Sequence, residues 1–363
     1  MNLWAPYTQT AKGILSLCLV LALLTDVVAC ASRPREKTPL RVIYANSLIV
    51  PFAELEKAFE AQHADVDVQL EGHGSIQVIR QVTELHQEAD VVAVADYSLI
   101  PMLMYQTTMA GTGQPFADWV IEFATDRIGI AYTPRSRYAS EITQDNWYDI
   151  LSRPDVMVGL SDPRFDPCGY RAMMVTQLAE AYYRDDSIFE RVFGNRFTYS
   201  VTVGDVDGAY TIVIPQILEP WKNASLLLRT ASVQLLALLD SGDLDYAFEY
   251  ASVAEQHGLK FLELPPRINL GSQEHAADYA RVRVGLEFQR FASVTPRFGG
   301  EPIIYGLTIP ANAPHPDLAA EFVAFLVGPE GQAIMERNYH PTIAPPRADN
   351  VAALPAALRG LIQ

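Results

Sequence analysis

Residues 40–59 read LRVIYANSLIVPFAELEKAF, and this stretch decides the fold class. Residues 40–45 are mostly apolar and predict a short strand. Phe52, Leu55 and Phe59 then recur at intervals of three and four residues, which places them on one face of an amphipathic helix. A strand that runs directly into a helix is the repeating unit of α/β sheets, so we expect an α/β protein.

The same alternation continues toward the C-terminus. Residues 66–70 and 90–94 predict two further strands, and a glycine-bearing turn at residues 72–75 leads into a second helix. The third strand leads into a helix near Tyr97, and the polar residues 105–116 predict a loop. This order indicates a mostly parallel sheet flanked by helices. The apolar face of the second helix is predicted to be Ile76, Ile79, Val82 and Leu85.

A second series of strands and helices follows. Its strands are predicted at residues 128–132, 156–160, 246–249 and 261–264, and its helices at residues 169–183 and 233–239. Residues 302–310 then predict a strand that returns to the first series and leads into a last helix. The apolar face of that helix is predicted to be Ala319, Phe322, Val323 and Leu326.

The chain is therefore expected to cross between the two series near residues 126–131 and to return near residues 303–308. This predicts two α/β lobes joined by a two-strand hinge. The first lobe would comprise residues 40–128 and 305–363, and the second would comprise residues 129–304. Ligands of open α/β sheets bind beyond the carboxyl ends of the strands, so the cleft between the lobes is the expected ligand site.

The N-terminal residues are typical of an exported lipoprotein. Lys12 precedes an apolar run at residues 14–24 that is too short to span a bilayer and has the length of a signal-peptide core. The small residues before Cys30 suit cleavage by a lipoprotein signal peptidase. We therefore predict a signal peptide at residues 1–29, lipidation of Cys30, and a flexible tether at residues 30–39. The mature chain would be extracytoplasmic, in the periplasm or at the cell surface, and anchored to a membrane.

Composition excludes several function classes. The net charge of −16 argues against nucleic acid as a partner. Cys168 is the single cysteine after Cys30, so an internal disulfide is not expected. No G-x-S-x-G, P-loop or G-x-G-x-x-G motif occurs, and no histidine pair has metal-ligand spacing. We expect a monomeric binding protein without a cofactor or catalytic residues. A Cys168 nucleophile in a secreted α/β hydrolase is the weaker alternative.

Two serines follow predicted strands of the first lobe and begin predicted helices. Ser47 follows Asn46, and Ser75 follows Gly74. A serine at a helix start can cap the helix, and the first-turn N–H groups can bind an anion with the help of the helix dipole. Serine is also a common cap that meets no ligand. Two of them at successive strand ends favour an anion site.

Two acidic residues occupy corresponding places in the second lobe. Asp166 lies between a predicted strand and the helix at residues 169–183, where it is either a helix cap or a ligand residue. Glu249 ends a strand, and a carboxylate there faces the cleft as a functional group or in an ion pair, for which Arg171 is a conceivable partner. Tyr250 follows Glu249 and could also reach an anion.

Six short motifs in order carry a resemblance to a known family. They are residues 42–48 (VIYANSL), 74–75 (GS), 89–91 with 95–97 (ADV and ADY), 146–147 (NW), 166–171 (DPCGYR) and 246–250 (YAFEY). Together they resemble the archaeal-type tungstate/molybdate-binding proteins of ABC importers, over roughly residues 40–340. The resemblance implies a type II periplasmic-binding-protein fold, a tungstate or molybdate ligand and docking on an ABC permease.

The resemblance also implies a role for each matching residue. Asp166 and Glu249 match the two carboxylates that complete octahedral coordination of the tungsten or molybdenum. Ser47 and Ser75 match the helix starts that donate hydrogen bonds to the oxo groups. Asn46 stands where family members usually have glycine, so the approach of the backbone to the anion can differ there.

The carboxylates distinguish a metal oxyanion from sulfate or phosphate. Two unit charges about 4 Å apart repel by roughly 4 kcal/mol at an effective dielectric near 20, so carboxylates facing a dianion are unfavourable without bond formation. Hexavalent tungsten and molybdenum accept two further oxygen ligands, whereas sulfur in sulfate does not. The same fold binding another small oxyanion, such as sulfate or phosphate, or a small carboxylate is the alternative, and it leaves Asp166 and Glu249 unexplained.

Overall fold

The structure is a computed structural model that describes residues 37–206, 208–287 and 296–363. The predicted signal peptide, Cys30 and most of the predicted tether lie outside the described residues. Within them, no single helix is long and apolar enough to cross a membrane. The bent helix pair Pro316–Val327 and Pro329–Arg337 reaches that length and apolar composition only when its two helices are taken together.

Strands and helices alternate through most of the described chain. The strands are β1 (Thr38–Ala45), β2 (Val66–His73), β3 (Val91–Val94), β4 (Ile121–Asp126), β5 (Ile128–Tyr132), β6 (Val158–Ser161), β7 (Thr202–Val206), β8 (Ala209–Ile214), β9 (Leu226–Arg229), β10 (Tyr246–Tyr250), β11 (Lys260–Leu262), β12 (Val282–Leu286), β13 (Arg297–Gly299), β14 (Ile303–Thr308) and β15 (Thr342–Ala348). The helices are α1 (Ile49–Gln62), α2 (Ser75–Thr83), α3 (Trp147–Leu151), α4 (Pro167–Tyr183), α5 (Ile188–Val192), α6 (Leu236–Ser241), α7 (Ala251–Gln256), α8 (Ala276–Tyr279), α9 (Pro316–Val327) and α10 (Pro329–Arg337). Two short 3-10 turns, Asn46–Leu48 and Ser232–Leu235, matter for the site.

The first sheet has the strand order β15-β4-β14-β3-β1-β2. Strand β1 pairs in parallel with β2 and β3, whereas β14 pairs antiparallel with β3 and β4, and β15 pairs antiparallel with β4. The sheet is therefore mixed, and the prediction of a mostly parallel sheet is wrong. The reason is that the returning C-terminal chain inserts β14 into the middle of the sheet in the opposite direction.

The helices beside the first sheet follow the predicted apolar faces, with one exception. Phe52, Leu55 and Phe59 of α1 are fully buried, and the Phe59 ring packs edge-on against Phe322 of α9 with 5.2 Å between centroids. Leu85 was predicted to continue the apolar face of α2, but α2 ends at Thr83 and the side chain of Leu85 is 65% exposed. A short π-helical segment, Ile100–Met104, stands where a helix near Tyr97 was expected.

The second sheet has the strand order β11-β5-β10-β6-β9. Three of its five strands, β10, β6 and β9, are parallel neighbours, and β5 pairs antiparallel with β10. The predicted strands at residues 128–132 and 246–249 correspond to β5 and β10. Three parallel strands side by side bring three carboxyl ends to one edge, which is where a ligand site is expected.

A third sheet has the order β13-β12-β8-β7 and was not predicted from the sequence. Its strands are short, and polar or glycine residues interrupt them, as in TVGDV of β7. Such strands give a weak alternation signal, because the polar and glycine residues break the regular spacing of apolar side chains. The architecture is thus α/β with mixed sheets in two lobes, the first lobe built on the first sheet and the second lobe on the other two.

A single residue separates the first sheet from the second. Strand β4 ends at Asp126 and β5 begins at Ile128, so Arg127 makes the crossing, and the chain returns to the first sheet at β14. The residue boundaries of the lobes stay a prediction.

Candidate functional site

Three polar residues converge at the carboxyl ends of the parallel strands in the second sheet. Glu249 lies in β10, Asp166 follows β6, and Ser232 follows β9. All three side chains are buried, with exposed fractions of 0%, 6% and 3%. Because β6 lies between β10 and β9, the segment that carries Asp166 lies between the other two.

Asp166 is the N-cap of α4, as one reading of the sequence predicted. Its Oδ1 accepts a hydrogen bond of 3.1 Å from the N–H of Cys168, and Pro167 occupies the first helical position, where a missing N–H costs nothing. Its Oδ2 accepts a second hydrogen bond, of 2.7 Å, from the N–H of Ser232. Burial raises the pKa of Asp166, although these two N–H donors oppose the rise.

Glu249 has one satisfied and one unsatisfied oxygen. Its Oε1 accepts hydrogen bonds from the Ser232 hydroxyl at 2.9 Å and from the N–H of Tyr250 at 2.8 Å. Its Oε2 is buried and has no hydrogen-bond partner among the described residues. Burial raises the pKa of Glu249 to about 8, and the charge of Asp166 adds to this rise. A buried polar atom without a partner is costly, so Oε2 is the atom that a bound ligand would satisfy.

Ser75 does not cap its helix, and the capping prediction is wrong for it. Gly74 is the N-cap of α2, and Ser75 is the first helical residue. From this position the Ser75 hydroxyl accepts a hydrogen bond of 3.0 Å from the N–H of Ala95, just after β3. The N–H of Ile76, in the same first turn, donates to the carbonyl of Phe165 at 3.2 Å.

Ser47 also makes no capping bond. It lies within the 3-10 turn that follows β1, and the residue before the turn, Ala45, has no capping side chain. The hydroxyl of Tyr305 donates to Ser47 Oγ at 3.1 Å and lies 3.4 Å from Oδ2 of Asp126. Tyr305 in β14 therefore connects the Ser47 turn to the end of β4, where the chain leaves the first sheet.

Asn46 is half-buried and begins the same 3-10 turn. It is not among the described residues with a positive φ, so the glycine usual in the resembling family is not needed for left-handed geometry here. Its side-chain oxygen lies close to Gly72, where an added Cβ would come within 2.7 Å of Oδ1. The Asn46 side chain is thus directed toward the end of β2.

Arg171 links the two lobes rather than pairing with Glu249. Its Nη1 donates to the carbonyl of Ala95 at 2.7 Å and to the hydroxyl of Tyr250 at 2.8 Å. Its Nη2 lies 3.3 Å from Oδ2 of Asp96, to which the Tyr170 hydroxyl also donates a hydrogen bond. The ion pair between Arg171 and Glu249 that the sequence made conceivable is therefore not formed. Arg171 pairs instead with Asp96, just after β3.

The lobes meet closely around these residues. An added Cβ on Gly74 would lie 2.4 Å from the carbonyl oxygen of Phe165 in the opposite lobe. The turn that contains Ser47 also contacts the turn that begins at Ser232. The candidate residues of the two lobes thus lie on facing surfaces.

Cys168 is a structural residue. Its thiol is fully buried and donates to the carbonyl of Phe248 at 3.4 Å. Burial raises the pKa of the thiol, and the charges of Glu249 and Asp166 raise it further, so the reactive thiolate is disfavoured. The Cys168 nucleophile of the hydrolase alternative is not supported by this environment.

The sequence singled out both carboxylates as candidates, and the structure places them at one edge of the second sheet. The sequence did not indicate Ser232, which hydrogen-bonds to both, or Tyr305, which bonds to Ser47. Ser232 and Tyr305 belong to none of the six motifs, and Arg171, a conceivable partner of Glu249, pairs with Asp96 instead. The signal available for Ser232 was its position just after a strand next to β6, which required the strand β9 that was not predicted.

Comparison with known proteins places the chain in a family. The family model for bacterial extracellular solute-binding proteins matches residues 40–339. An uncharacterized solute-binding protein of Methanoculleus marisnigri is 43% identical over 90% of this chain and 88% of its own length. The molybdate/tungstate-binding protein WtpA of Pyrococcus abyssi is 37% identical over 96% of this chain and 97% of its own length.

Solved structures agree on the fold. The sulfate-binding protein SubI of Mycobacterium tuberculosis matches with a TM-score of 0.53 and 13% identity, over 85% of this chain and 88% of that chain. Identity at this level indicates the fold alone. The chain therefore belongs to the bacterial extracellular solute-binding protein family, and it is a binding component of ABC transport rather than an enzyme.

Proposed function

We propose that this solute-binding protein captures tungstate or molybdate and delivers it to an ABC permease. The observation that carries the proposal is the pair of buried carboxylates, Asp166 and Glu249, with a Glu249 oxygen that lacks a hydrogen-bond partner among the described residues. Hydrogen-bond donors and positive charge suffice for sulfate or phosphate, whereas the metal centre of tungstate or molybdate can take carboxylate oxygens as further ligands. The molybdate/tungstate-binding relative at 37% identity supports the same ligand class.

Asp166 and Glu249 would supply the two oxygen ligands that complete octahedral coordination. Both have raised pKa values, so deprotonation of each carboxyl costs free energy. Bond formation to the metal would offset that free energy. The oxo groups would accept hydrogen bonds from the first lobe. The donors proposed there are the Ser47 and Ser75 hydroxyls, the Asn46 side chain and the first-turn N–H groups of α2 other than that of Ile76, with Tyr250 on the opposite side.

Closure of the two lobes would place these groups around one anion. The proposed lobes are residues 40–128 with 305–363, and residues 129–304, joined at Arg127 and at the return into β14. The contacts of Gly74 with Phe165 and of Arg171 with Ala95 fit a closed form. Such a form is the one expected to dock on the permease, as a monomer.

Calorimetry of the protein without its signal peptide tests the ligand. We expect tungstate and molybdate to bind, and sulfate and phosphate to bind at least about a hundredfold more weakly. Glu249→Gln and Asp166→Asn should lose most tungstate affinity. Asp166→Asn keeps an oxygen for the helix cap but turns an NH2 group toward the N–H of Ser232, so its apo melting temperature should fall. Glu249→Gln is therefore the variant that tests the ligand role at nearly unchanged stability. Equal binding of sulfate and tungstate would contradict the proposal.

Sulfate or phosphate is the second candidate, and one observation favours it. Burial raises the pKa of Glu249 to about 8, so a protonated Glu249 could donate a hydrogen bond to a tetrahedral oxyanion. This reading predicts that sulfate affinity falls as the pH rises past the pKa of Glu249. It also predicts that Glu249→Gln, which keeps a donor, retains sulfate binding.

We also propose that the mature protein is held at a membrane by lipid on Cys30, outside the cytoplasm. Support comes from the sequence around residues 14–30 and from the extracellular family. Expression with labelled fatty acid and membrane fractionation test this proposal. Wild-type protein should carry label in the membrane fraction, and Cys30→Ser should carry none.

A further inference from the structure

We propose that Ser232 is a positioning residue that fixes the spacing of Asp166 and Glu249, so that both carboxylates reach one metal centre. This inference rests on the proposed function and adds a residue that no sequence motif indicates. Ser232 contacts both carboxylates directly: its N–H donates to Oδ2 of Asp166 at 2.7 Å, and its hydroxyl donates to Oε1 of Glu249 at 2.9 Å.

The topology explains why one residue can hold both carboxylates. Asp166 follows β6, Glu249 lies in β10 and Ser232 follows β9, and these strands are parallel neighbours with β6 in the middle. The three carboxyl ends therefore meet at one edge. Asp166 and Glu249 are far apart in sequence, so the chain between them does not fix the distance between their side chains. A residue that hydrogen-bonds to both carboxylates does fix it.

The hydrogen bonds also select which oxygen of Glu249 is available. Oε1 already accepts two hydrogen bonds, from Ser232 and from the N–H of Tyr250, whereas Oε2 has no partner among the described residues. A fixed Oε1 fixes the rotation of the carboxylate and hence the direction of Oε2. Residues that hydrogen-bond to metal ligands typically change metal affinity ten- to a hundredfold when removed.

The position of Ser232 suits this role. It is buried, with 3% of its surface exposed, and it begins the 3-10 turn Ser232–Leu235. That turn contacts the turn containing Ser47 in the first lobe, so Ser232 lies where the two lobes face each other. A merely structural serine would stabilise the fold without changing the number of oxygen atoms bound to the metal.

X-ray absorption of bound molybdate at the molybdenum edge provides a readout specific to positioning. Six-coordinate and four-coordinate molybdenum differ in their pre-edge features. We expect six-coordinate molybdenum in the wild type. Ser232→Ala keeps the N–H bond to Asp166 and loses the bond to Glu249, so we expect at least tenfold weaker binding and a larger four-coordinate share. Ser232→Thr retains the hydroxyl and should restore six-coordination.

Ser252→Ala is the matched control. The hydroxyl of Ser252 is fully buried and donates to a buried carboxylate, that of Asp126, and among the described residues it makes no hydrogen bond to Asp166 or Glu249. Ser252→Ala should leave the X-ray absorption spectrum of bound molybdate at the molybdenum edge as it is in the wild type. If Ser232→Ala keeps wild-type affinity and six-coordination, the role of Ser232 is refuted while the proposed function stands. If the wild type binds no molybdate, or holds it four-coordinate, the proposed function and this inference both fail.

Discussion

Arg171 and Asp96 form an ion pair that is buried on both sides, with Nη2 of Arg171 3.3 Å from Oδ2 of Asp96. The pair joins α4 of the second lobe to the end of β3 in the first lobe. Arg171 lies in the same helix that Asp166 caps, less than two turns farther along. The proposed ligand residue and the contact between lobes therefore move as one rigid element.

Removing one partner of this ion pair should be strongly destabilising. Arg171→Leu leaves the carboxylate of Asp96 buried without its cation, which typically costs about 3–5 kcal/mol. Adding Asp96→Leu should cost much less than the sum of the two single changes, because neither charge is then left unpaired. Urea unfolding measures these free energies.

A surface ion pair provides the control for Arg171. Arg347 pairs with Glu122 at 2.7 Å, but its side chain is 53% exposed. Arg347→Leu should change the free energy of unfolding by less than about 1 kcal/mol. Equal losses for Arg347→Leu and Arg171→Leu would show that burial of the Arg171 pair has no energetic consequence.

Gly74→Ala should keep the lobes from their close approach. The new Cβ would lie 2.4 Å from the backbone oxygen of Phe165, and a backbone atom cannot move aside as a flexible side chain can. We expect tungstate affinity to fall by about tenfold or more, with calorimetry as the measurement. Gly204→Ala adds a Cβ with no atom within 4 Å and should bind as the wild type does. Unchanged affinity in Gly74→Ala would mean that binding does not need this contact.

Glu249 should make the apo protein less stable as the pH rises. Its pKa is about 8 in the folded chain and 4.5 as the reference value, so between these values the folded chain binds the extra proton. The stability from protonated Glu249 is complete below the unfolded pKa and is lost as the pH rises through about 8. Between about pH 6 and about pH 8.5 this loss should be on the order of 3 kcal/mol.

Glu249→Gln separates this effect from other titrating groups. Glutamine keeps the size and an acceptor oxygen but cannot ionise, so the variant should lack the Glu249 share of the loss above about pH 6. Asp126, whose pKa burial raises to about 6, should still reduce the stability of both proteins as the pH rises through about 6. Identical pH profiles of the two proteins in urea unfolding would contradict the raised pKa of Glu249.

The spacing of apolar residues correctly predicted those strands and helices that depend on neighbouring residues alone. The strand at residues 128–132 matches β5, and the face of Phe52, Leu55 and Phe59 is buried in α1, because both depend on apolar spacing alone. Asp166 and Glu249 were singled out because they follow or end apolar strands, and their role as ligands stays a prediction. The predicted fold class was correct for the same reason.

The errors concern residues whose partners are distant in sequence. The Ser75 hydroxyl accepts from Ala95, which lies twenty positions away, instead of capping its own helix. The proposed role of Ser232 depends on the pairing of β9 with β6. Arg171 pairs with Asp96 because the end of β3 lies beside α4. These choices depend on the tertiary arrangement, and the sequence around each residue does not encode them.

His340 should make the protein less stable as the pH falls. The ring is fully buried, packs edge-on against Tyr305 with 5.2 Å between centroids, and has no partner for Nε2 among the described residues. Burial lowers the pKa of His340 to about 4 from 6.5, so below pH 6.5 the unfolded chain binds the extra proton. Stability is complete above the unfolded pKa and is lost as the pH falls through about 4.

The expected loss between those two pKa values is about 3 kcal/mol. Since the buried carboxylates titrate in the opposite direction, the measurement is the difference between wild type and His340→Gln in urea unfolding at about pH 7 and about pH 4.5. The variant should lose less stability on acidification than the wild type does. His257→Gln replaces an exposed histidine of the same chain and should follow the wild type. If His340→Gln follows the wild type as well, His340 is not buried in its neutral form, and the packing of Tyr305 beside Ser47 and Asp126 must differ from that described.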